Sequence, residues 1–95
     1  DGAITEIINY LNEKAGTNYK SSTKKTQRDI NSRFKEGFIF KDFKNVIDKK
    51  CEQWGKDEYW SKFLRPETLF GTKFEGYLNE KTKPVEKKSE YDDIF

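Results

Sequence analysis

The chain has 95 residues, one small domain's worth, and only 33% of them are hydrophobic. Aromatic residues make up 16%, so a few large rings must carry much of the burial. Lys and Arg number 19 against 17 Asp and Glu, a net charge of +2, so an anionic partner must be met by a local patch rather than by the overall field. There is no His, and the single Cys51 excludes an internal disulfide and fits a reducing, cytoplasmic setting. No apolar run approaches the roughly 18 residues that cross a bilayer. The absence of Met, including at position 1, suggests a piece of a longer protein.

In chain order, Ile4, Ile7, Ile8, Leu11 and Ala15 recur at helical spacing, with Gly16 as the stop signal. A short connection, residues 17–20, follows, in which Tyr19 is placed to anchor the loop on the core. Ser21, Ser22 and Thr23 are candidate caps for a second helix that runs to about Glu36 and ends at Gly37. Its apolar content is thin: Ile30 and Phe34. With Lys24 at zero on a helical wheel, Lys35 falls near 20 degrees and Arg28 near 40, whereas Ile30 and Phe34 fall near 240 and 280. Between Lys20 and Lys35, six basic residues (Lys20, Lys24, Lys25, Arg28, Arg33, Lys35) meet one acid, Asp29, a local charge of +5. Lys20, Lys24, Lys25, Arg28 and Lys35, with Lys44 in support, are therefore the candidate phosphate contacts, and Arg28 or Arg33 offers a forked one.

The third element, Phe38 to Trp54, places Phe43, Val46, Ile47, Cys51 and Trp54 on one face and reads as the central helix. Lys50 interrupts that stripe and reads as a lysine packing its methylenes while its ammonium reaches water or an anion. Ile39 stands where a Ser or Thr cap would sit, which predicts a poorly defined start. Beyond Gly55, Tyr59, Trp60 and Phe63 suggest a short helix, and Arg65 before Pro66 imposes a break. A turn over 67–70 and a last helix capped by Thr72 would bring Phe70 and Phe74 together. Tyr59, Trp60, Arg65 and Phe70 are the candidate anchors for a protein partner. Residues 81–95 are rich in Lys and acids and read as a flexible tail, ending in YDDIF, whose composition resembles a groove-docking peptide.

The stretch IINYLNEKAGTNYKSSTKKTQRDINSRFKEGF (Ile7 to Phe38), the block VIDKKCEQW and the stretch LRPETLFGTKFEGYLNE (Leu64 to Glu80) together resemble the conserved C-terminal domain of phage replication proteins, the replisome organisers of Gram-positive bacteria and their prophages. The same region is distantly similar to the DnaD-type primosomal domain. The helical signature of that group would correspond to the core motif Phe43, Ile47 and Trp54. The resemblance implies an all-α, compact bundle of about four to five helices over residues 1–80. It also implies a role in initiating phage DNA replication in the bacterial host cytoplasm. The partners implied are DNA, single-stranded or nonspecific duplex, and a helicase loader or another copy of the protein. No catalytic constellation, metal-ligand spacing or cofactor motif is present, so the expectation is a binding module, not an enzyme. A purely protein-binding adaptor is the alternative.

Overall fold

A computed structural model describes residues 2–80. Five α-helices, α1 (Gly2–Ala15), α2 (Lys24–Lys35), α3 (Phe40–Trp54), α4 (Pro66–Leu69) and α5 (Phe74–Asn79), are joined by loops, with one 3₁₀ turn over Trp60–Phe63. No strand occurs among the described residues. The expected all-α bundle is therefore found. The expectations about the tail, including the YDDIF ending, lie outside the described residues.

The helix α3 is the axis of the packing because α1, α5 and the 3₁₀ turn all pack against it. Phe43, Val46 and Ile47 are fully buried, and Ile4, Ile7, Ile8 and Leu11 of α1 close over them. Ile30 from α2 and Leu69, Phe70 and Phe74 from the C-terminal segment complete the core. The ring of Phe43 is its centre: Phe34, Phe74 and Phe70 lie 4.9, 4.9 and 5.4 Å away by ring centroid. Their tilted and edge-on arrangements suit the positive ring edge meeting the negative face. Phe70 and Phe74 do meet, at 6.3 Å, as their spacing of four predicts.

Helix ends follow local chemistry. Gly16 adopts φ 71°, which a side chain would resist, and α1 closes with the Gly16 and Thr17 amides donating to the Asn12 carbonyl. The Asn12 side chain then organises the following loop. Its Nδ2 donates to the Tyr19 carbonyl at 2.9 Å, while its Oδ1 accepts from the Thr17 hydroxyl at 2.9 Å and from the Tyr19 amide at 2.8 Å. Tyr19 is thereby laid against the core as expected. Gly37, at φ 102°, ends α2, and the Phe38 amide reaches back to the Arg33 carbonyl. That turn delivers Phe38 edge-on to Phe74 at 4.9 Å.

Three local expectations are corrected. The start of α3 is well defined despite Ile39, because Asp42 reaches back and accepts the Ile39 amide at 3.0 Å. That is the half of a capping box that needs no hydroxyl. Pro66 does not merely break the chain but opens α4 from its first position, where its missing N–H costs nothing. Thr72 does not cap α5; Lys73 occupies the cap position and no side chain bonds there.

Candidate functional site

The second helix owes its position to one narrow apolar edge. Thr26, Ile30 and Phe34 face inward, and Gln27, Asp29, Ser32 and Arg33 flank that edge half-buried. Lys24, Arg28, Asn31 and Lys35 are exposed on the opposite side. By the helical repeat they lie within about 60 degrees of one another. No carboxylate of the described residues engages Lys24, Arg28 or Lys35, nor Lys20 in the preceding loop. Asn31, which charge counting overlooks, extends this ridge with an uncharged donor.

The other basic candidates are placed differently. The Lys25 ammonium lies 2.8 Å from the Asp29 carboxylate one turn on, so it stands beside the ridge with its charge already compensated. Lys44 lies over the rings of Tyr10 and Phe40 at 5.0 and 5.5 Å, on a surface made by α1 and α3. Arg33 is not free for a forked phosphate contact: it donates to the carbonyls of Phe70 and Gly71 at 3.3 and 2.5 Å and to Glu36 at 2.9 Å. It is a tie between α2 and the end of α4.

Ridge electrostatics are reinforced by the helix itself. The first turn of α2 contains two lysines and no acid, and Thr23 makes no side-chain cap. The positive end of the helix dipole and the cations therefore add instead of cancelling.

A second surface is built from rings. Trp60 stacks on Trp54 at 5.4 Å with planes 20° apart, and Tyr59 and Phe63 pack against Trp60 at 5.2 and 5.3 Å. Asp57 holds this turn by accepting the amides of Tyr59 and Trp60, each at 2.8 Å. Tyr59 and Trp60 remain 58% and 44% exposed, the most open large rings among the described residues. Beside them opens a cleft of about 350 Å³ lined by Trp54, Trp60, Phe63, Arg65, Thr68 and Tyr77. Arg65 lies over Phe63 at 5.3 Å and pairs with Glu67 at 3.5 Å. Between Lys56 and Glu75 four cations meet four acids, so this surface is neutral where the α2 ridge is not. Phe70 does not belong to it. Its ring is 0% exposed in the core and reaches no partner without unfolding its surroundings, which removes it from the candidate anchors.

The core motif is split by the structure. Phe43 and Ile47 are buried, whereas Trp54 is half-buried and joins the aromatic surface. Sequence reading also missed what Lys50 does. It is 2% exposed, lies over the rings of Trp54 and Tyr77 at 4.7 and 4.3 Å, and donates to Gln53 at 2.9 Å and Glu80 at 2.8 Å. The anion it reaches is its own chain's. That hydrogen bond, the largest influence, holds the Glu80 carboxyl below the usual range. Lys49 adds to the clasp by donating to the carbonyls of Leu78 and Glu80.

Among the described residues no group of three or more His, Cys, Asp or Glu is placed to hold a metal ion, and no helix is long and apolar enough to cross a membrane. Cys51 is half-buried, and burial first, then Asp48, pushes its thiol pKa up. A raised thiol pKa disfavours the thiolate that a nucleophile needs.

Searches of curated proteins and of solved structures give no significant match. A family model does: "Conserved phage C-terminus" matches residues 7–79, from the second turn of α1 to the end of α5. That span takes in the core apart from Ile4, the α2 ridge and the aromatic surface, and the chain therefore belongs to the conserved phage C-terminus family.

Proposed function

We propose that this domain is the C-terminal module of a phage DNA replication initiator of the replisome-organiser type. In this reading it gives nonspecific DNA contact through the α2 ridge and helps to recruit the helicase-loading machinery. The observation that carries the DNA part is the ridge: Lys24, Arg28 and Lys35 point outward together, with no carboxylate of the described residues beside them. Cations so arranged neutralise successive phosphates and release counterions, while reading no bases. Family membership and the resemblance to replisome organisers support the setting: the bacterial cytoplasm, with single-stranded or nonspecific duplex DNA as the ligand. The protein is a binding module, and catalysis has no part in the reading.

The recruiting part rests on the aromatic surface. Tyr59 and Trp60 are exposed, held by Asp57 and surrounded by balanced charge, which suits a protein partner better than a polyanion. The same surface supports the second reading, in which the domain binds a helicase loader or a second copy and leaves DNA to other parts of the protein. One parallel experiment separates them. The 95-residue chain is measured against labelled single-stranded and duplex oligonucleotides and against a candidate helicase loader. Lys24→Glu with Arg28→Glu abolishes retardation of the oligonucleotides and spares the loader; Trp60→Ala does the reverse. Undiminished oligonucleotide binding by the double variant, with helical circular dichroism intact, refutes the DNA role.

A further inference from the structure

The cleft beside Trp60 joins four rings, Trp54, Trp60, Phe63 and Tyr77, to two cations, Arg65 and Lys73, and to one acid, Glu67. The surface around it is balanced in charge, but Asp57 and Glu67 are already engaged: Asp57 accepts the amides of Tyr59 and Trp60, and Glu67 pairs with Arg65. Lys73, by contrast, is exposed and pairs with no carboxylate of the described residues. Among those residues Arg65 hydrogen-bonds only through its Nε, to Thr68 at 3.2 Å. Lys62 adds a third cation at the rim, over the rings of Tyr59 and Phe63 at 4.3 and 5.4 Å. Such a cleft suits a segment that brings rings or branched apolar side chains together with carboxylates. At about 350 Å³ it takes a few side chains and not the face of a folded protein.

The chain itself carries such a segment. From Glu90 to Phe95, EYDDIF, three carboxylates stand among Tyr91, Ile94 and Phe95 with no cation between them, whereas residues 81–88 hold four lysines. Its tether begins at the cleft. Glu80 accepts from Lys50 at 2.8 Å, and the same ammonium lies 4.7 and 4.3 Å from the ring centres of Trp54 and Tyr77, both of which line the cleft. Ten residues separate Glu80 from Tyr91 and span at most about 35 Å, far more than the return requires. A tether of that length holds the segment near the cleft at about millimolar effective concentration, however dilute the protein. The ridge of α2 offers carboxylates more charge, but it has no rings to receive Tyr91, Ile94 and Phe95.

We infer that residues 91–95 of this chain dock in the Trp60 cleft of the same molecule: the side chains of Ile94 and Phe95 enter among the rings, and Asp92 and Asp93 meet Arg65 and Lys73. This docking deepens the reading of the aromatic surface as a site for a protein partner, on which it rests, and adds regulation to it. A helicase loader that uses Trp60 must first displace the chain's own segment, so recruitment is held back until a partner outcompetes it.

Both tryptophans of the chain line the cleft, so their indole N–H signals report on it. A synthetic peptide of residues 90–95 is titrated into the 95-residue chain and into the chain carrying Ile94→Ala and Phe95→Ala. In the double variant the peptide should shift both indole signals saturably. The unaltered chain should bind it about tenfold more weakly, because its own segment fills the cleft about nine-tenths of the time. Adding Arg65→Glu and Lys73→Glu to the double variant should abolish the shifts, and a peptide with Asp92→Lys and Asp93→Lys should restore them. Equal affinity of the peptide for both chains, or silent indole signals, overturns the docking. Shifts confined to the amides of Lys24, Arg28 and Lys35 place the segment on the α2 ridge and overturn it as well. A difference between the two chains that vanishes on tenfold dilution assigns the segment to a second copy and overturns docking within one molecule. A candidate helicase loader forms a separate arm, and tighter binding by the double variant than by the unaltered chain supports both readings. Loader bound equally well by both chains, with the peptide silent, overturns the docking and leaves recruitment standing. Docking of the peptide with no loader bound by either chain keeps the docking and sinks recruitment.

Discussion

Lys24→Glu should do two things that ordinarily oppose each other: strengthen the fold and weaken DNA binding. Lys24 is the first residue of α2, it is exposed, and it stands at the positive end of a helix whose first turn has no acid. A carboxylate there gains about 0.3–1 kcal/mol from the helix dipole. It also turns the repulsion between Lys24 and Arg28, four residues apart, into an attraction of about 0.2–0.5 kcal/mol. The combined gain, about 0.5–1.5 kcal/mol, should raise the melting temperature of a domain this size by roughly 3–8 °C. Oligonucleotide affinity should fall at least about tenfold, because one phosphate contact is lost and a repulsive charge introduced. Thermal melts by circular dichroism and binding by fluorescence anisotropy on the same samples read both. A lower melting temperature together with weaker binding would mean that the helix had been damaged, and the electrostatic reasoning would fail. A higher one with unchanged binding would place the DNA elsewhere.

Three other outcomes are expected. The Glu80 carboxyl is held below its ordinary pKa by Lys50, so its contribution to stability is full above the ordinary carboxylate range and is lost as pH falls through that range toward the lowered value. Glu80→Gln should flatten the pH dependence of unfolding there and cost about 1–2 kcal/mol at neutral pH, a modest figure because Glu80 is partly exposed. Acid denaturation curves that superimpose for the two proteins would contradict the Lys50 clasp. Asn12→Ala removes three hydrogen bonds that shape residues 17–19 and should cost about 2–3 kcal/mol in denaturant unfolding; a loss under 0.5 kcal/mol would show that the loop holds its form without them. In alkaline absorbance titration Tyr10 should ionise only near 12, since it donates to Asp48 at 2.6 Å, and Asp48→Asn should bring it back toward 10; an unchanged titration would refute that bond.

What could be read from the chain in advance was what local pattern encodes. The apolar stripes of α1 and α3 are periodic and strong, so both helices and most of the core were legible. The ridge of α2 was legible for the same reason, since only Ile30 and Phe34 had to face inward. What escaped reading depended on residues far apart. Lys50 meets Glu80 across 30 positions, and Arg33 meets the Phe70 carbonyl across 37, and no window of sequence carries either pairing. Phe70 lies close enough in sequence to Tyr59, Trp60 and Arg65 to read as an anchor grouped around the arginine, but α4, which Pro66 opens, turns it into the core. The compensation of Ile39 by Asp42 was within reach, because it spans only three residues.

The central claim is that a carboxylate-free line of cations on α2 meets the DNA backbone, and its salt dependence measures that contact. For three or four phosphate contacts, the logarithm of the binding constant should fall with the logarithm of salt concentration at a slope of roughly −2 to −3.6. Replacing Lys24, Arg28 and Lys35 together by Gln should bring the slope close to zero while the helical signal stays unchanged. A slope in the triple variant equal to that of the unaltered chain would contradict the claim.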